Sequence, residues 1–131
     1  WLIDFLASPI KAESHLGQQS YQTSVIKRLF VQTSSSSFPS GLPDIQDEIP
    51  VDMAVLAAAS FDNVKNYPTG IIKQLTPKKV LMCHWEDFFH PWWENPRPLR
   101  LIDFDVLINR LSIATNQGEW YIPAPGSWYV L

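Results

Sequence analysis

Two apolar runs constrain the fold of this chain more than any other feature: Met53-Ala-Val-Leu-Ala-Ala-Ala59 and Val80-Leu-Met-Cys83. The first has the unbroken apolar character of a strand covered on both faces, and the second reads as a buried strand. Between them lie a break at Ser60-Phe-Asp-Asn63, a proline at Pro68 suited to a helix start, and a short apolar stripe of Ile71, Ile72 and Leu75. Thr76-Pro77 closes that helix. Strand, turn, short helix and strand make a βαβ unit with parallel strands, which places the chain in the α/β class.

The remaining segments fit around this unit. Leu2, Ile3, Phe5 and Leu6 predict a strand over residues 1–6, stopped at Ser8-Pro9, where proline removes a ladder donor. Residues 10–24 are mostly polar and read as a loop containing His15. Val25–Gln32 reads as another strand, and the Ser-, Pro- and Asp-rich stretch from Thr33 to Pro50 as a long loop. Phe104, Leu107, Ile108 and Leu111 follow i, i+3, i+4, i+7 spacing behind Asp103, an amphipathic helix with its N-cap. Glu119–Leu131 predicts two short strands around a Pro/Gly turn.

At 131 residues the chain is one domain with a modest core. Its net charge of −3 and the absence of a basic stripe argue against nucleic acid; Lys27-Arg28 and Lys78-Lys79 are its adjacent basic pairs. The lone Cys83 excludes an internal disulfide. No apolar run approaches the roughly 20 residues of a membrane-spanning helix, and no signal peptide pattern is present. The expectation is a soluble, cytoplasmic protein without membrane partners. Trp1 runs directly into an apolar segment, which reads as a fragment or processed piece of a longer protein.

The chemistry concentrates at the end of the second run. His84 terminates the predicted strand, with Glu86 and Asp87 just beyond it, and ligands of open α/β sheets gather at the carboxyl ends of strands. An imidazole there is a candidate metal ligand, with Glu86 and Asp87 as groups that orient it or hold a water. The plain alternative is a structural histidine beside an acidic first turn of a short helix carrying Phe88 and Phe89. His15 enters the site if its loop folds over the same strand end; His90, before a proline, reads as exposed. No G-x-S-x-G turn surrounds Ser60 or the Ser34–Ser37 run, which weakens hydroxyl catalysis. Cys83 and His84 are strand neighbours predicted to point to opposite faces, which argues against a Cys–His dyad. Trp92 and Trp93, in a proline-stiffened loop, are candidates for substrate contact or for capping the core.

Val80-Leu-Met-Cys-His-Trp-Glu-Asp-Phe-Phe89 resembles the last metal-ligand motif of metallo-β-lactamase-fold hydrolases, in which a strand ends in a histidine followed by bulky and acidic residues. Val51-Asp-Met-Ala-Val-Leu56, Ser60-Phe-Asp-Asn-Val64, Tyr67-Pro68 and Pro77-Lys-Lys79 resemble the strand, loop and helix that precede it. The resemblance implies the C-terminal half of an αββα sandwich with zinc between its two sheets, and a small-molecule substrate. It assigns His84 as the final ligand and His15 as a middle one. Two departures accompany it. No H-x-H-x-D-H motif occurs in the chain, and Thr33 stands where a bridging aspartate is expected. A neutral hydroxyl does not supply the charge that holds two divalent cations. Half a sandwich leaves an apolar sheet face uncovered, from which follows the expectation of pairing with a missing N-terminal segment or with another copy. The competing expectation is a non-catalytic remnant, a scaffold or binding module, in one version with Trp92, Trp93, Trp120 and Trp128 as a stacking platform.

Overall fold

The computed structural model describes residues 1–8, 10–13, 19–91, 93–116 and 118–131, with backbone alone for 10–13 and 19–22. Its strands are β1 (Leu2–Leu6), β2 (Ile10–Glu13), β3 (Gln19–Gln22), β4 (Val25–Gln32), β5 (Met53–Ala57), β6 (Lys79–Cys83) and β7 (Glu119–Tyr121). Two α-helices, α1 (Thr69–Leu75) and α2 (Phe104–Ala114), and a 3-10 turn at Phe61–Asn63 complete it. The fold is mixed α/β. Five strands form one sheet in the order β1-β4-β5-β6-β7, and β2 and β3 pair separately.

β1 runs antiparallel to β4, whereas β4, β5, β6 and β7 are mutually parallel. The βαβ expectation holds: α1 connects the parallel neighbours β5 and β6, with Pro68 as its N-cap and Thr76 in left-handed backbone (φ 42°) at its end. β5 is the central strand and is buried along nearly its whole length, as its unbroken apolar run requires.

Side-chain alternation sorts the sheet into two faces. Phe30, Ala54, Leu56, Val80 and Met82 point to one face and form the core with Phe61, Tyr67, Ile71, Ile72, Leu107 and Leu111 from the helical layer. Burying Leu107 and Leu111 contributes about 2 kcal/mol each by area. Arg110 fastens α2 to this layer: its Nη1 donates to the carbonyls of Phe61 (3.1 Å) and Tyr67 (3.0 Å), and its guanidinium lies 5.0 Å over the Phe61 ring. On the opposite face Ile3 and Phe5 are exposed, and Leu29, Val31, Val55 and Leu81 are only partly buried.

The amino end of the parallel strands is tied by charge. Asp52, just before β5, accepts the Arg28 backbone N–H at 2.9 Å and Lys78 Nζ at 2.7 Å. Among the described residues no helix is long and apolar enough to cross a membrane.

Four local expectations are corrected. The 10–24 stretch is not a continuous loop: it contains the β2–β3 pair, held in register by backbone bonds that a polar sequence forms as readily as an apolar one. Among the described residues the final segment supplies one strand, β7, and Trp128–Leu131 is unpaired as a strand. Ile108 of α2 is exposed; the buried stripe is Leu107 and Leu111. Residues 85–91 form no helix. The chain there folds back on itself through Asp87 N–H to Arg97 O (2.7 Å) and Leu99 N–H to Trp85 O (2.9 Å), an antiparallel pairing in place of a helical turn.

Candidate functional site

Because β4 to β7 are parallel, their carboxyl ends lie on one edge and deliver Gln32-Thr33, Ala57-Ala58, Cys83-His84 and Tyr121-Ile122 there. The edge is stiffened from below. Ala58 N–H donates to Cys83 O (2.7 Å), the Tyr67 hydroxyl to Ala57 O (2.6 Å), and Ser35 Oγ to Ala59 O (2.7 Å). Ser60 and His84 both occupy left-handed backbone, at φ 58° and 57°. For a residue with a β-carbon that conformation carries strain, and such strain concentrates at functional sites.

His84 is the first residue past β6, partly buried, with its ring centroid 5.3 Å from that of Phe88. It lines a depression of about 210 Å³ together with Leu81, Cys83 and Glu86 on the sheet side and Pro123–Ser127 and Tyr129 opposite. Cys83 and His84 both line this hollow, at the point where regular strand ends and His84 takes its positive φ. Burial pushes the Cys83 thiol up from its ordinary pKa, and the Glu86 charge adds to the effect, which keeps the sulfur protonated at neutral pH.

The two acids take other hydrogen-bond partners. Glu86 Oε2 accepts the Trp85 backbone N–H at 3.0 Å. Asp87 Oδ1 accepts the Phe89 N–H at 3.1 Å, and its Oδ2 lies 3.5 Å from His90 Nε2. Among the described residues neither carboxylate hydrogen-bonds the His84 ring. Asp87 lines a different hollow, about 380 Å³, with Ser60, Asp62, Phe89, Arg100 and Leu101 among its walls. His90 is only partly exposed and also lies 3.8 Å from Glu94.

Thr33 directly follows β4, exposed on the same edge. Beside it, Gln32 is buried; its Nε2 donates to Ser36 Oγ, and its Oε1 has no hydrogen-bond partner among the described residues. His15 and Trp92 lie outside the described residues. Trp93 is exposed, Trp120 packs against the core, and Trp128 is exposed. Core capping, the plain reading of the Trp92–Trp93 pair, does not describe Trp93.

Among the described residues no group of three or more His, Cys, Asp or Glu side chains is disposed to hold a metal ion. The edge offers one imidazole and one thiol, and the Glu86 and Asp87 carboxylates accept backbone amides without converging with them on a common point. These residues alone do not fit a zinc centre. What the sequence did not reveal is the wall supplied by residues 123–129, for which the turn residues Pro125-Gly126 were the available signal. Scans of protein-family models, curated proteins and solved structures return no match to this chain.

Proposed function

We propose that this chain carries the His84 side of a metal-dependent hydrolase site of the metallo-β-lactamase type. The observation that supports the reading is His84 itself: an imidazole in left-handed backbone at the carboxyl end of a parallel strand, where α/β folds place their chemistry. The motif Val80–Phe89, a sheet with its helices on one face, and partly exposed apolar residues on the other agree with it. His84 would be one ligand, and the remaining ligands would come from outside the described residues, His15 being the candidate within the chain. The substrate is a small molecule with a hydrolysable bond.

The alternative is a scaffold or binding module with no catalytic metal. It is favoured by the incomplete donor set and by Thr33 in place of a carboxylate. Zinc titration of the purified chain and of the His84→Ala variant separates the two. Stoichiometric zinc that is lost in the variant supports the hydrolase reading. No uptake at saturating zinc removes it and leaves the binding module.

A further inference from the structure

We propose that residues 123–131 form a hinged strap that closes the depression holding Cys83 and His84. The inference concerns access to this end of the sheet and stands whether or not His84 serves a metal. The firm end is at Pro123, whose carbonyl accepts the Trp85 indole N–H at 2.7 Å. Trp85 is itself set edge-on against Phe104 of α2, with ring centroids 5.9 Å apart. The pivot is thereby joined to the helical layer.

Beyond the pivot the chain reverses. Ser127 N–H donates to Ala124 O at 3.1 Å, and Gly126 takes φ 82°, a conformation that favours glycine. Among the described residues the returning leg makes two side-chain contacts, both partly open to water. Tyr129 tilts against Tyr121 with centroids 5.2 Å apart, and Lys79 Nζ donates to Val130 O at 3.3 Å. Trp128 is 97 % exposed and Val130 83 %, and of the leg's aliphatic side chains only Leu131 is partly buried. A firm pivot followed by a weakly held leg is the pattern of a segment that opens at low free energy while the rest of the domain stays folded.

The leg is the outer wall of the hollow: Pro125, Ser127 and Tyr129 stand across from Cys83, His84 and Glu86. A volume of about 210 Å³ lies below the range of roughly 300–1,000 Å³ that accommodates drug-sized ligands. The hollow is open to solvent along part of its rim, so small solutes reach it with the leg in place, and larger ones reach the imidazole after the leg swings away.

Cys83 is the single cysteine of the chain and reports on the strap directly. The experiment measures the rate at which a chromogenic disulfide reagent labels Cys83 in the folded full chain and in three variants. Tyr129→Ala removes the ring contact. Gly126→Ala strains the turn through φ alone, since a β-carbon there meets nothing within 4 Å. Gly126→Asn restores a residue that tolerates left-handed backbone. Labelling is expected to accelerate by ~5-fold or more in Tyr129→Ala and Gly126→Ala, and to stay near the native rate in Gly126→Asn. Equal rates in all four proteins overturn the strap. So does an acceleration that tracks global unfolding in a parallel urea series, because the opening is then not local.

Discussion

Asp4 grips the guanidinium of Arg28 through both oxygens, Nε to Oδ1 at 2.7 Å and Nη2 to Oδ2 at 2.8 Å. The two residues face each other across β1 and β4, and Arg28 is only 2 % exposed. Asp47 takes Nη1 at 2.5 Å and Nη2 at 2.9 Å, and the Ile49 carbonyl takes Nη1 at 3.1 Å, which engages all five donors. A buried cation is tolerated on these terms and becomes costly when a partner is lost. Asp4→Asn keeps the shape and removes the charge. It is expected to lower unfolding free energy by about 1–3 kcal/mol, below the full cost of an unpaired buried charge because Asp47 remains. Urea denaturation checks this; an unchanged midpoint would show that the pair is energetically neutral.

The same end of the sheet gives the fold an acid limit. Hydrogen bonds from Lys78 and from the Arg28 amide hold the Asp52 carboxyl below its ordinary value of 3.8, and Arg28 does the same for Asp4 and Asp47. A carboxyl depressed in the folded state contributes stability that is complete above 3.8 and lost as pH falls through its folded value. Urea midpoints of the native chain are therefore expected to fall steeply on acidification below 3.8. The Asp52→Asn variant should start lower at neutral pH and decline less. Parallel curves for the two proteins would remove Asp52 from the account.

Tyr67 sets a corresponding alkaline limit. Burial raises its hydroxyl above the ordinary 10, against hydrogen bonding that acts in the other direction. Its contribution is complete below 10 and disappears as pH rises through the folded-state value, because only the unfolded chain ionises readily there. Tyr67→Phe should cost about 1 kcal/mol at neutral pH, through loss of the bond to Ala57 O. It should also flatten the alkaline decline. Melting temperatures measured up to alkaline pH decide it; a decline as steep as the native one assigns the limit to other groups.

The segments legible in the sequence were those whose apolar pattern has one folded solution. Met53–Ala57 and Val80–Cys83 are strand because each is an unbroken apolar run, and Leu107 and Leu111 are core because helical spacing aligns them behind the Asp103 cap. Asp103 Oδ1 accepts the Val106 N–H at 3.1 Å, as its position indicates. The β2–β3 pair was not legible, since its register rests on backbone bonds and not on an apolar stripe. Nor was the Arg28 cluster, whose partners Asp4 and Asp47 lie far along the chain and meet only through β1 pairing and the fold of the 33–50 loop. His84 was located from sequence by its place after an apolar run. Its left-handed backbone was not, because histidine adopts that conformation more often than most residues but still in a small minority of cases.

That backbone conformation separates structure from chemistry at the one position where both matter. At φ 57° a β-carbon is strained, and glycine is not. His84→Ala and His84→Gly both remove the imidazole and its contact with Phe88, and they differ chiefly in the β-carbon. The glycine variant is expected to be more stable than the alanine variant by about 1 kcal/mol, a shift of a few degrees in melting temperature. Both variants should lose any zinc binding that depends on His84 to the same extent. An alanine variant as stable as the glycine variant would show that the conformation is relaxed, and the strain argument for a functional His84 would fall with it.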